Sequence, residues 1–402
     1  MKIVPLVASI LLASPLLLAQ VAGSPPSFLN GADQLELGVK EVLNQRRVGL
    51  ITNHTGRLRD GKQRTLDAMR AANYVQVVAL FSPEHGSEGQ VDDKVGDSKD
   101  QKTGLPVYSL YGETRVPTAA MLLGIDTLVF DIQDIGCRFY TYLSTMRNCL
   151  EAAAAHKLRF VVLDRPNPLG GLRMEGPVLS DDRRDFVGAM TIPLRHGMTV
   201  GELARMIQGE SGLQVDLHVV ACTGWQRADR FDRTGLTWIN PSPNMRSLTQ
   251  ALLYPGIGLL EGTNLSVGRG TDTPFEVVGA PWCQGIQLAA SLRTANLPGV
   301  TFLPIVFTPT ASKFRGEPCS GINIAITDWQ TFEPVRTGMH IACALHALHA
   351  TQWDKKRLDW LLKHAPSTTA ILAGKPADEI VGSWQKDLEL FRLRRQPFLL
   401  YE

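Results

Sequence analysis

The 402-residue chain lacks the short motifs by which many enzymes announce themselves. It has no C-x-x-C pair, no H-E-x-x-H or H-x-H, no G-x-S-x-G and no G-x-G-x-x-G. The first two absences argue against a structural or catalytic zinc site, the third against a serine hydrolase elbow, and the last against a dinucleotide-binding turn. Six cysteines, Cys137, Cys149, Cys222, Cys283, Cys319 and Cys343, are too few and too widely spaced for a disulfide scaffold. Pairings such as Cys137 with Cys149 or Cys283 with Cys319 stay open. Charge of neither sign is in surplus: 41 Lys and Arg face 39 Asp and Glu, a net charge of +2. That balance leaves no electrostatic footprint for nucleic acid or for an anionic membrane. No internal repeat or low-complexity tract is present, and beyond the N-terminus no apolar run is long enough to span a bilayer.

The start of the chain, "MKIVPLVASILLASPLLLAQVAG", has Lys2, an apolar stretch from Ile3 to Leu18 and small residues at Ala22 and Gly23. This layout predicts a cleaved secretory signal over residues 1–23. A mature protein outside the cytoplasm, periplasmic or secreted and free of the membrane, is expected. The alternative is an uncleaved anchor, against which Pro5 and Pro15 interrupt the run. The remaining length exceeds what one domain usually holds, so two domains are expected, at 24–285 and 286–402. Oligomeric state is not readable.

From residue 48 short apolar, β-branched runs alternate with helical patterns. Strands are predicted at 48–52, 75–81, 107–111, 125–133, 159–164 and 215–222, with helices around 62–73, 117–124 and 141–156. Near-continuous apolar strands separated by helices require a parallel sheet covered on both faces. The predicted class is α/β, a Rossmann-like open parallel sheet with a second, smaller α/β auxiliary domain. Thr199 with Glu202 three positions on reads as a capping box opening a helix. Periodicity dissolves over 240–282, an expected functional segment, and returns with a strand at 321–327 and a helix at 334–350.

Ligands of open parallel sheets bind beyond the carboxyl ends of the strands. Four of the predicted strands, those at 48–52, 75–81, 125–133 and 159–164, end in polar or glycine-containing loops: "NHTGR" (53–57), "SPEHG" (82–86), "DIQDIGCRFYTY" (131–142) and "DRPNP" (164–168). A carboxyl group at such a mouth can serve as a general acid, which makes Glu84 a candidate, against a role in capping or in pairing with His85. Asp131 and Asp134 form a second acidic cluster with Gln133, although a strand-end aspartate such as Asp131 is more commonly a hydrogen-bond acceptor. Two carboxyl groups across a crevice are the minimal equipment for glycoside hydrolysis. His54, His85 and His196 are scattered, so neither a metal nor a cofactor is expected. Arg138, Arg165 and Arg269 are candidates for gripping a ligand carboxylate, or for neutralising Asp131 or Asp164 instead. Tyr140, in "FYTY", offers a ring to a sugar face or to the core. Asn53, His85, Gln133, Asn167, His196, Asn264 and Asp272 complete the binding candidates.

These blocks, "GLITNHTG", "FSPEHG", "FDIQDIGCRFYTY", "DRPNP", "RHGMT", "PSPNM" and "EGTNLSVGRGTDTPFE", occur in order along nearly the whole mature chain. In them the chain resembles a bacterial family, first catalogued as a domain of unknown function, of exo-acting β-N-acetylmuramidases of peptidoglycan turnover. The resemblance implies a Rossmann-like domain and a smaller one with the active site in the cleft between them. It also implies removal of terminal N-acetylmuramic acid from the non-reducing end of peptidoglycan fragments, with Glu84 as the catalytic glutamate. The sugar's lactyl carboxylate gives a reason for an arginine in the site, and the glycine-rich 261–282 segment suits the closed end an exo-enzyme needs.

Asp131 or Asp134 would act as base if roughly 6.5–9.5 Å from Glu84, or as nucleophile at roughly 5 Å. The sugar's 2-acetamido group, oriented by Asp134 or Gln133, is the third route. Two rival functions remain: an exported sugar- or muropeptide-binding protein, and an amidase or esterase. The second wants an activated Ser or Cys nucleophile, for which Ser82 before Pro83 is a poor substitute.

Overall fold

Val48, Leu50 and Ile51 are fully buried because β1 (Arg46–Thr52) lies in the middle of a sheet. The computed structural model describes residues 28–86 and 96–402; the signal sequence expected at residues 1–23 lies outside them. β1 pairs in parallel with β2 (Val75–Ser82) on one side and with β5 (Thr127–Asp131) on the other. Beyond β2 come β4 (Pro106–Ser109) and then the short antiparallel β3 (Ser98–Lys99). Beyond β5 come β6 (Arg159–Leu163) and β7 (Asp216–Val220), both parallel. The order among the described residues is β3-β4-β2-β1-β5-β6-β7, so the direction of winding reverses between β1 and β5. Every residue of β5 is buried, as a strand covered on both faces requires.

Helices follow local chemistry. Thr199 and Glu202 close the predicted capping box of helix Val200–Ser211, which ends at Gly212 in the left-handed conformation (φ 63°). Helix Tyr142–Ala155 covers the sheet where the 141–156 pattern placed it. Two expectations differ. Residues 117–124 form turns rather than a helix, bounded by Pro117 and by Gly124 at φ 78°. Within 240–282, Leu248–Ile257 is a helix whose N-cap, Ser247, accepts a hydrogen bond from Gln250 N at 3.2 Å. Its hydrophobicity runs all round, so the segment has no amphipathic period to read.

The second sheet is antiparallel, in the order β8-β10-β9, from β8 (Val277–Ala280), β9 (Val300–Phe307) and β10 (Cys319–Ile326). β8 lies ahead of residue 286, so the small sheet takes its first strand from the segment assigned by pattern to the large domain. Helix Pro334–His349 packs on this unit and crosses Leu248–Ile257 at two glycines. A Cβ on Gly256 would stand 1.9 Å from Pro334 O, and one on Gly338 would stand 2.5 Å from Gly256 O. All six cysteines are free thiols. No helix among the described residues is long and apolar enough to cross a membrane.

Candidate active site

A cavity of about 910 Å³ opens between the carboxyl end of the large sheet and the small unit. One wall comes from the β2 exit (Glu84, His85) and the 139–142 loop, the other from Glu261, Arg269, Lys313 and Trp360.

Pro83 follows the last residue of β2, and the chain turns at once: Gly86 N donates to Pro83 O at 3.1 Å, with His85 at φ 70°. A positive φ at the third position is the type II pattern, which normally asks for glycine. A histidine held there is backbone strain of the kind that clusters at functional sites. The turn presents Glu84, half-buried, to the cavity, where Thr141 donates its hydroxyl hydrogen bond to Glu84 Oε2. Thr141 is the residue from which helix Tyr142–Ala155 starts.

Aromatic rings form the cavity floor. Tyr140 meets Tyr142 edge-on at 4.9 Å and Tyr254 at 6.0 Å, and Tyr254 meets Phe275 at 4.7 Å. Tyr142 donates from its hydroxyl to Pro241 O and accepts from Asn53 Nδ2 at 3.0 Å. Asn53 Oδ1 accepts in turn from Thr55 N at 2.9 Å. Burial raises the Tyr140 phenol above the usual tyrosine range, and the charges of Asp134 and Glu84 push it the same way. Tyr140 is thus largely core, while the rings open to the cavity are Tyr111, Phe186 and Trp360.

The two aspartates expected opposite Glu84 do not line this cavity. Asp131, fully buried at the end of β5, accepts from Arg165 Nε at 2.7 Å, and Arg165 donates also to Arg57 O at 2.9 Å. This pair fills the switch point between β1 and β5, so the crevice that such sheets usually leave for ligands is occupied by side chains. Asp134 Oδ2 accepts from Gly136 N at 2.7 Å, and burial pushes its carboxyl up to about 7. Gln133 donates to Asp134 O at 2.7 Å and to Pro166 O at 3.0 Å. Asn167 donates to Met198 O at 2.9 Å. His196 accepts from Met198 N at 3.2 Å, and burial holds its imidazole neutral, pushed down to about 3.

The arginines separate. Arg138 is fully buried and donates to four backbone carbonyls, of Pro177 and Ile192 (2.9 and 3.2 Å) and of Leu361 and Leu362 (3.2 and 2.8 Å). It ties the large sheet to the C-terminal segment and has no face for a ligand. Arg269 reaches the cavity, hydrogen-bonded to Glu261 and 5.4 Å from the Phe275 ring centroid. Asn264 lies outside it, exchanging hydrogen bonds with Gln352 O and Asp354 N (2.9 and 2.7 Å), and Asp272 is exposed, 3.6 Å from Arg246. Of the predicted residues, the cavity therefore gathers Glu84, His85, Tyr140 and Arg269. Sequence reasoning missed Thr141, Glu261, Asp185, Lys313 and Trp360. Thr141 and Glu261 sat inside blocks already singled out, whereas Lys313 and Trp360 carried no pattern. Among the described residues no three His, Cys, Asp or Glu converge as metal ligands.

Two family models match the chain: "Exo-beta-N-acetylmuramidase NamZ, N-terminal" over residues 48–249 and its C-terminal counterpart over 252–401. The peptidoglycan β-N-acetylmuramidase NamZ of Bacillus subtilis strain 168 is 42% identical over 381 residues, covering 94% of this chain and 92% of that protein. A crystal structure of a DUF1343 family protein from Bacteroides fragilis superposes with a TM-score of 0.87 at 38% identity, covering 93% of this chain and 99% of that one. A second such protein from the same organism gives 0.76 at 31% identity, covering 94% and 99%.

Proposed function

The chain belongs to the exo-β-N-acetylmuramidase NamZ family, and from that membership we propose how its cavity works: Glu84 donates a proton to the glycosidic oxygen as a terminal N-acetylmuramic acid departs. The protein is an exo-acting glycoside hydrolase that releases this sugar from the non-reducing end of peptidoglycan fragments.

The role of Glu84 rests on one observation. Three described carboxylates line the cavity; Asp185 is 2.6 Å from Lys363 Nζ, Glu261 holds Arg269, and Glu84 alone carries no ion pair among the described residues. A proton donor needs a carboxyl oxygen turned to the substrate rather than to a cation. Thr141 engages one oxygen of Glu84, which leaves the other for the leaving group.

In the reaction the C–O bond to the next sugar breaks, the Glu84 proton goes to the departing oxygen, and water finally supplies the anomeric hydroxyl. Among the described residues no second unpaired carboxylate lines the cavity. That composition suits attack by the sugar's own 2-acetamido carbonyl, one of the known alternatives to a carboxylate pair. The N-terminal pattern of the sequence supports export, so the proposed place of action is the periplasm or the medium.

The test is hydrolysis of p-nitrophenyl β-N-acetylmuramide and of the N-acetylmuramyl-N-acetylglucosamine disaccharide by wild type and Glu84→Gln. p-Nitrophenol departs with little need of a proton, whereas a sugar alkoxide needs one. Loss of about 10²–10⁴-fold on the disaccharide, with a smaller loss on the nitrophenyl substrate, is expected of a general acid. Equal activity of the variant on the disaccharide would sink the assignment. A wild type that binds N-acetylmuramic acid and cleaves neither substrate would make the protein a binder.

A further inference from the structure

Lys313 enters the cavity from the loop between β9 and β10, on the wall contributed by the small unit. Its neighbours Ser312 and Phe314 both have positive φ, 65° and 59°. Two non-glycine residues in the left-handed region are strained and persist only where the surroundings over-determine them. Here the surroundings are the glycine-rich segment. Thr310 donates from both its N and Oγ1 to Gly270 O, at 2.8 and 2.7 Å. Gly270 is at φ 82°, and a Cβ there would stand 2.4 Å from Ala311 N. Gly316 N closes the loop on Pro309 O at 2.8 Å. The loop is thus clamped at its start and its end, with Lys313 between the clamps.

The ammonium of Lys313 donates to Glu261 O, a backbone carbonyl, at 2.6 Å. An ammonium has three donors, and no other acceptor among the described residues takes the remaining two. The Glu261 carboxylate nearby is engaged with Arg269. Burial lowers the Lys313 pKa, and the charges of Arg269 and Arg357 push it the same way against Glu261. A half-buried cation that no carboxylate among the described residues pairs with, facing a cavity, is a costly arrangement unless an anion occupies the cavity.

We infer that Lys313 binds the lactyl carboxylate of the substrate and thereby separates N-acetylmuramic acid from N-acetylglucosamine. This rests on the function proposed above for the same cavity. The two sugars differ by the lactyl ether on O3, which carries the carboxylate. A site built around a charged contact rejects the analogue lacking it, because its own polar group is then left unpaired. Arg269, the one of the three candidate arginines that reaches the cavity, instead has its guanidinium engaged with Glu261 and lies beside the Phe275 ring.

The experiment measures inhibition constants for N-acetylmuramic acid, its lactamide analogue and N-acetylglucosamine, with kinetics on p-nitrophenyl β-N-acetylmuramide, for wild type, Lys313→Met and Lys313→Arg. Wild type should bind the carboxylate sugar about 10–100-fold more tightly than the lactamide, the ratio expected of one charge-assisted hydrogen bond. Lys313→Met should erase that difference and raise KM by a similar factor, with kcat little changed. Lys313→Arg should restore part of it. A Lys313→Met protein that still prefers the carboxylate overturns the inference, as does one in which kcat alone falls. If wild type cleaves no muramide but shows the Lys313-dependent preference, the hydrolase reading fails and the subsite stands. Wild type with no preference for the carboxylate over the lactamide overturns the inference without recourse to any variant.

Discussion

Thr141 and Glu84, 57 residues apart in sequence, meet in one hydrogen bond from the threonine hydroxyl to Glu84 Oε2. The bond joins the exit of β2 to the start of helix Tyr142–Ala155 and limits the directions in which the acid can point. Thr141→Val keeps the shape and removes the donor. It should lower kcat on the disaccharide about 10-fold or more with KM nearly unchanged, because a small misplacement of a catalytic group is costly. Thr141→Ser should recover most of the rate. Equal kcat for Thr141→Val would show that Glu84 is positioned by something else.

Asp131 and Arg165 form a buried pair at 2.7 Å. Removing one partner of such a pair strands the other charge, at a cost of roughly 3–5 kcal/mol. Urea unfolding of Asp131→Asn should therefore give a large drop in midpoint, whereas Glu84→Gln should unfold like wild type. A stable Asp131→Asn protein without activity would return Asp131 to the catalytic machinery.

Asp134 has its carboxyl raised from 3.8 to about 7 by burial. The folded state holds this proton more tightly than the unfolded chain, so the contribution to stability is full below pH 4 and is lost as pH rises through about 7. His196, lowered to about 3, runs in the other sense: its contribution is present above pH 6.5 and lost as pH falls through about 3. The two effects overlap, which makes the difference between wild type and Asp134→Asn the informative curve. Relative to wild type, the variant should gain a few kcal/mol between pH 4 and pH 8 by thermal unfolding. A pH-independent difference would refute the buried, protonated aspartate.

Arg138 donates to four carbonyls of the 177–192 and 361–362 segments. Arg138→Met removes the donor to the carbonyls of Pro177, Leu361 and Leu362, while Ile192 O keeps Leu179 N at 3.2 Å, and should destabilise by about 3 kcal/mol or more. Hydrogen exchange should show earlier opening around Leu361 and Leu362. Lysine, with its point charge and different reach, should rescue little. A stable Arg138→Met protein with a raised KM would favour the ligand-gripping role instead.

Gly270→Ala introduces a Cβ against the Ala311 backbone at a left-handed position, where a side chain costs about 1–2 kcal/mol before any clash. The loop carrying Lys313 should shift. The expected signature is a raised KM for the muramide and reduced preference for the carboxylate sugar over its lactamide, as for Lys313→Met. Unaltered kinetics would mean that the loop does not depend on its clamp.

Much of the large sheet was legible because buried parallel strands must be apolar along their whole length, as "LVF" in β5 and "VVL" in β6 are. The capping box at Thr199 and Glu202 was legible because its two hydrogen bonds are local. The helix Leu248–Ile257 was not, since a helix buried all round loses its period. In the site, Glu84 stood out by its place after a strand, and so did Asp131, yet only one of them faces the cavity. A strand-end position says that a side chain leaves the sheet without saying what it meets.

By itself the sequence determined the parallel α/β arrangement, the loops that gather at one rim, and Glu84 within them, because these follow from periodicity and from turn chemistry over a few residues. It also carried the ordered blocks that mark the family. Only tertiary structure decided which charges would cancel one another. Arg165 turned to Asp131, Arg138 to four carbonyls and Arg269 to Glu261, while Lys313, remote from Glu84 in the chain, was brought into the cavity that Glu84 lines. The physical reason is range: an ion pair is settled at about 3–4 Å, between groups that folding brings together from positions remote in the chain.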